Sequence, residues 1–187
     1  MPNGLGSSWV EESFRYHDVD KTTLECSNSR REAIPIMTKN LILIAVDLSE
    51  NSLKAVDYVG SMLSCQPGLE ITLLHVIKEP SPDIVPDASE RQNQVEKARL
   101  ETLDLMEKAA RRLTSCGIPE KRIHLKIQVC RKPVSVADLI LHEQKSGNYG
   151  TVVIGRRGVS KREELLFGSV SSRVVREAKQ CSVWIVE

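Results

Sequence analysis

The sequence predicts an α/β fold: a single open five-stranded parallel sheet, order 3-2-1-4-5, with helices on both faces, Rossmann-like. Three observations carry that expectation. Near-continuous apolar runs at residues 41–47 (LILIAVD) and 71–77 (ITLLHVI) mark strands covered on both faces. Stretches with apolar residues at helical spacing follow each strand, so the two kinds of element alternate. The length, 187 residues with 41% hydrophobic, suits one domain and an appendage.

Residues 1–40 read as an extension, polar and mixed in charge, with Pro2, Gly4, Gly6 and Pro35 and no sustained period. Trp9, Phe14 and Tyr16 are nonetheless three of only seven aromatics in the chain. Two readings stay open: an arm that docks by its rings on its own domain or a partner, or a loose tail. Residues 41–187 form the domain. Ser49 is placed to cap the first helix, whose Leu53, Val56, Met62 and Leu63 make an inward stripe, and Pro67-Gly68 breaks it. After the second strand, the loop EPSPDIVPD is long enough for a lid or a contact surface.

Ser89 with Gln92 has the spacing of a capping box, opening a long helix through Val95, Leu103, Met106, Ala110 and Leu113 to a stop at Gly117-Ile118-Pro119. Residues 123–129 (IHLKIQV) alternate, as expected of a strand near an edge with one drier face. Pro133 is suited to start the next helix, which carries Val136, Leu139 and Ile140 and ends at Gly147. The strand at 151–154, a helix with Val170, Val174 and Ala178, and a last strand at 182–186 (SVWIV) complete five strands and four helices. That last strand would leave an apolar edge uncovered, a liability that pairing with a second copy removes.

Charge narrows the function. The formal net charge is +1, so the whole-chain field favours neither nucleic acid nor a membrane surface. Five cysteines stand singly, without C-x-x-C or zinc spacing, and read as reduced, mostly buried thiols. No signal-peptide core and no spanning apolar run is visible, which makes a cytoplasmic location the expectation.

Chemistry concentrates in residues 155–171, GRRGVSKREELLFGSVS, between a strand and a helix. At such a junction the first helical N–H groups lack intrahelical partners and the peptide dipoles leave partial positive charge, so an anion is favoured. Gly155, Gly158 and Gly168 let a ligand approach the backbone; Arg156, Arg157, Lys161 and Arg162 suit a polyphosphate; Ser169 and Ser171 add hydroxyls. Taken singly, glycines mark turns, serines cap helices and basic loops are solvated; the order of the features is what points to phosphate. Ligands of open α/β sheets bind beyond the carboxyl ends of strands where the order reverses, and Asp47 and Gly155 both end strands that would be neighbours there. Asp47 is suited to accept from a ribose or an adenine amino group, or to cap the next helix. Neither G-x-x-x-x-G-K-[ST] nor G-x-G-x-x-G is present. The four histidines show no triad or H-E-x-x-H, and only His75 falls near a strand end where it could neighbour a ligand.

Gly155, Gly158, Gly168 and Ser169 match G-x2-G-x9-G-[ST] without a gap, and ILIAVDLSENSLKAVDYV and TLLHVI accompany them. In these respects the chain, from about Leu41 to Glu187, resembles the nucleotide-binding subgroup of the universal stress protein family. The resemblance implies a homodimer of α/β domains, paired through the C-terminal strand, that binds ATP (or AMP or ADP), with Mg2+ on the phosphates left open. It implies that Asp47 contacts adenine or ribose and that a backbone group of Val76 meets adenine. Ile154, Gly155, Arg157 and Gly158 then surround ribose and phosphates, and Gly168, Ser169, Val170 and Ser171 form the phosphate-binding helix start. Leu48 departs from the glycine many relatives carry there. The function expected is stress response or signalling through nucleotide-dependent conformation or binding of an unidentified protein partner. Binding is expected in preference to turnover, with no catalytic residue assigned and at most slow hydrolysis or self-phosphorylation, because the loop offers cations and hydroxyls with only Glu163 and Glu164 as nearby carboxylates. The alternatives are a dimeric scaffold with a vestigial pocket and an adenylate-transferring enzyme, for which no SGG-type, HIGH-like or KMSKS-like motif is present.

Overall fold

A computed structural model of the chain describes residues 40–47, 49–156 and 168–187. The extension expected over residues 1–40 therefore lies, apart from Asn40, outside the described residues, as do Leu48, Arg157 and Gly158.

Five strands, β1 (Leu41–Ala45), β2 (Glu70–Lys78), β3 (Ile123–Cys130), β4 (Thr151–Gly155) and β5 (Ser182–Val186), pair in parallel in the order β3-β2-β1-β4-β5. The helices are α1 (Glu50–Leu63), α2 (Ala88–Ser115), α3 (Val136–Ser146) and α4 (Ser169–Glu177), and one 3-10 turn spans Glu120–Arg122. This is the expected α/β sheet. The order reverses at β1, where Ala45 pairs with Leu74 of β2 on one side and Ile154 of β4 on the other.

Alternation along the strands sends side chains to two cores, because successive residues point to opposite faces. Ile42, Ile44, Val46, Ile71, Leu73 and Val153 pack with Val56 and Val59 of α1 and Met106, Ala109 and Leu113 of α2. Leu43, Leu74, Val152 and Ile154 pack on the other face with Ala137 and Ile140 of α3 and Val174 of α4. That second face also gathers a polar cluster around the buried Glu143. Glu143 accepts from Lys126 Nζ at 2.9 Å and Gln128 Nε2 at 2.8 Å, and Tyr149 OH lies within reach of both Glu143 and Thr72. Thus α3 is fastened to edge strand β3 by charge-assisted bonds, which satisfy a carboxylate that burial alone would penalise.

Several local expectations are corrected. The inward stripe of α1 is Ala55, Val56, Val59 and Gly60, with Leu53 and Leu63 partly buried, whereas Met62 is 60% exposed. Gly60 explains the rotation: a Cβ there would lie 2.8 Å from Cys116 Sγ, so the helix turns its slimmest residue toward α2. Asp87, not Ser89, caps α2, its carboxylate accepting from Glu90 N at 2.9 Å; Leu103 faces out, and Thr102 takes the buried place. Pro133 precedes α3 without starting it. Ser135 and Asp138 form a reciprocal capping box, which satisfies two donors where a proline start satisfies none. Among the described cysteines only Cys130 is buried, and Cys65 is exposed. Strand β3 is at an edge, as expected, but Leu125 on its drier face is exposed. The proline-rich loop is strapped down: Arg91 donates to the Val85 and Pro86 carbonyls at 2.8 and 2.7 Å and pairs with Glu79, as does Arg131.

Candidate functional site

The carboxyl ends of β2, β1 and β4 lie side by side, and the residues singled out at β1 and β4 meet there. Asp47, exposed two residues past β1, accepts at Oδ1 from Ser49 N (3.1 Å) and Ser49 Oγ (2.6 Å). The cap of α1 is Ser49 itself, accepting from Ser52 N at 3.3 Å, so Asp47 steadies the capping residue while its carboxylate remains at the surface. Val76 is half-buried near the end of β2, packed against the α3/α4 core.

Ile154 and Gly155 are buried at the end of β4. A Cβ on Gly155 would lie 3.0 Å from Asn51 C and Ser52 N, so the glycine is what lets the first turn of α1 close on β4. Beyond residues 157–167, Gly168 is the N-cap of α4, with φ −66° and ψ 157° and no side-chain cap. Its N–H donates to the Arg156 carbonyl at 3.1 Å, and its own carbonyl receives Ser172 N at 3.0 Å. Ser169 is exposed and Val170 half-buried. Ser171 is buried, its hydroxyl 3.1 Å from the Arg156 carbonyl and 3.0 Å from that of Gly168.

His75 stands near the end of β2 with Nδ1 2.8 Å from the Val46 carbonyl, so Nδ1 carries the proton and donates. Burial lowers its pKa below the usual value, opposed by the Val46 hydrogen bond and the Asp47 charge. Sequence reasoning missed the pairing of Arg156 with Glu187. The signal was available only through register, since Gly155 pairs with Val186 and their successors fall opposite each other. A hollow of about 500 Å3 lined by Tyr58, Trp184, Ile185, Val186 and Glu187 opens beside β5. Among the described residues no cluster of three or more His, Cys, Asp or Glu is placed to hold a metal ion, and no helix is long and apolar enough to cross a membrane.

Known proteins resemble the chain over this same region. The model of the universal stress protein family matches residues 40–187. Universal stress protein YxiE of Bacillus subtilis (strain 168) is 29% identical over 157 residues, covering 79% of this chain and 98% of its own. A universal stress protein solved in complex with cAMP is 20% identical with a TM-score of 0.54, covering 79% of this chain and 95% of that one. The universal stress protein of Archaeoglobus fulgidus in complex with dAMP is 15% identical with a TM-score of 0.52, covering 79% and 96%.

Proposed function

The chain belongs to the universal stress protein family, and from that premise we propose that it binds an adenine nucleotide, ATP or AMP or ADP, at the carboxyl ends of β1, β2 and β4. The observation that carries this reading is the juxtaposition of two ends: the exposed Asp47 carboxylate past β1, and beside it the Gly155 end of β4, to whose successor Arg156 is bonded the start of a helix whose cap has no side chain. Family members with bound cAMP and dAMP lend it support.

In this reading the N–H groups at the start of α4 receive phosphate oxygens, aided by the dipole of the helix. Asp47 accepts from the ribose or the adenine amino group, and Val76 lies against the ring. Arg157 and Gly158 belong to the same phosphate loop. The site serves sensing: bound nucleotide sets the conformation or partner of a cytoplasmic stress-response or signalling protein, and a second copy covers the free edge of β5. Equilibrium titration with ATP, AMP and cAMP tests it, alongside Gly168→Val and Asp47→Ala. Saturable binding weakened by both substitutions is the expected result. Absence of saturable binding would leave a scaffold with a vestigial pocket, and release of pyrophosphate would mark an adenylate-transferring enzyme.

A further inference from the structure

Arg156 joins the last strand to the loop of the proposed site through three separate groups. Its N–H donates to the Val186 carbonyl at 2.7 Å, one step beyond the Gly155–Val186 pair that ends the β4–β5 ladder. Its carbonyl accepts from Gly168 N at 3.1 Å and lies 3.1 Å from Ser171 Oγ, which fixes where α4 begins. Its guanidinium pairs through Nη2 with the carboxylate of Glu187, the residue that follows β5. Arg156 and Gly168 flank residues 157–167 in sequence, so their bond sets the distance between the two ends of that segment.

Among the described residues, Glu187 is the ion-pair partner of the guanidinium. Its side chain is 27% exposed, and Nε, shut off from solvent, has no hydrogen-bond partner among the described residues. A half-buried cation with an unmet donor is held by the acceptors it does have, because losing one leaves the desolvation cost in place without the compensating bond. The Glu187 carboxylate therefore governs where the head group sits, and through it how firmly the Arg156 backbone is held between β5 and α4.

We propose that Arg156 is a positioning residue: tied to Glu187, it transmits the order of the last strand to the base of the nucleotide loop. Loosening Glu187 opens the Arg156–Gly168 closure and weakens nucleotide binding, and by reciprocity bound nucleotide steadies the end of β5. The statement about nucleotide rests on the site proposed above; the link between strand and loop does not.

Amide exchange at Gly168 reads the closure without any ligand. It is measured in the full chain, in Glu187→Gln, Arg156→Gln and their double variant, and in Glu177→Gln, which removes a surface ion pair on α4 as a control. Glu187→Gln alters a 63% exposed side chain and leaves folding unthreatened. Gly168 should exchange about two- to fivefold faster in each single variant, and in the double variant no faster than in the singles, the scale expected of a partly exposed ion pair. ATP affinity should fall by a similar factor, the control should match the unaltered chain, and the charge-swapped pair Arg156→Glu with Glu187→Lys should recover both readouts. Unchanged exchange at Gly168 in Glu187→Gln overturns the proposal, as does faster exchange with undiminished ATP affinity. Exchange that responds in a chain binding no nucleotide upholds the link and sinks the reading of the site instead.

Discussion

The two helices that open beside the switch point do so in opposite ways. Helix α1 supplies its own acceptors: Ser49 caps it, Asp47 orients Ser49, and Ser52 Oγ returns a bond to the Ser49 carbonyl at 2.9 Å. Helix α4 begins at a glycine that offers only its backbone, and that backbone is already spent on Arg156 and Ser172. Helices α2 and α3 follow the first pattern, with Asp87 and Ser135 as caps. A glycine cap that leaves first-turn donors without a side-chain acceptor costs a folded chain about a few tenths of a kcal/mol. A ligand that brings its own negative charge reverses that cost, so α1 is built as a fixed wall of the proposed cleft and α4 as its receiving side.

The largest effect should come from breaking the wall. Gly155→Val puts side-chain atoms where Asn51 and Ser52 backbone already lies, and should cost about 2 to 3 kcal/mol in denaturant unfolding. A variant as stable as the original would mean that the close approach of α1 to β4 is not tight. Next, Gly168→Asp converts the opening of α4 to the pattern of α1, since φ −66° and ψ 157° suit any residue. Stability should rise by a few tenths of a kcal/mol while ATP affinity falls about tenfold, because the new carboxylate takes the donors and repels phosphate. Equal affinities in titration calorimetry would erase the contrast between the two helices.

Ser49→Ala makes the reverse change at α1 and should cost about 1 kcal/mol of stability. Asp47 would lose the partner it orients, so comparing ATP affinity in Ser49→Ala and Asp47→Ala separates its two duties. The smallest effect is in pH. His75 in the folded chain titrates below its ordinary pKa near 6.5, so the unfolded chain takes up a proton first. Its contribution is therefore whole above pH 6.5, declines as pH falls from there, and is gone below the folded-state pKa. His75→Gln should flatten that part of the curve of unfolding midpoint against pH; an unchanged slope would assign it to other groups.

The sheet was legible because its strands announce themselves: continuous apolar runs at β1 and β2, alternation at β3, and a helical period between them. What escaped depended on competition between neighbours in space. Nothing local distinguishes Ser89 from Asp87 as the cap of α2, or Pro133 from Ser135 at α3, until the hydrogen bonds are in place. Met62 and Leu103 fit the apolar period of their helices and still face outward, because Gly60 and Thr102 fit the contact with less bulk. Glu143 gave no warning of burial, although Lys126 and Gln128, two apart on one face of β3, were the partners waiting for it. At the site, the meeting of the Asp47 and Gly155 ends followed from strand order alone. The Arg156–Glu187 pair needed the register of β4 against β5.

The two margins of the sheet carry different chemistry. Along β3, His124 and Lys126 are exposed, with Glu70 beside His124, a polar rim that discourages a further ribbon from joining. Along β5 the sequence SVWIV presents no charge at all. In the proposed pairing through β5, each copy would spend its one bare rim and leave only a guarded one, so growth would halt at two instead of running on into a fibre.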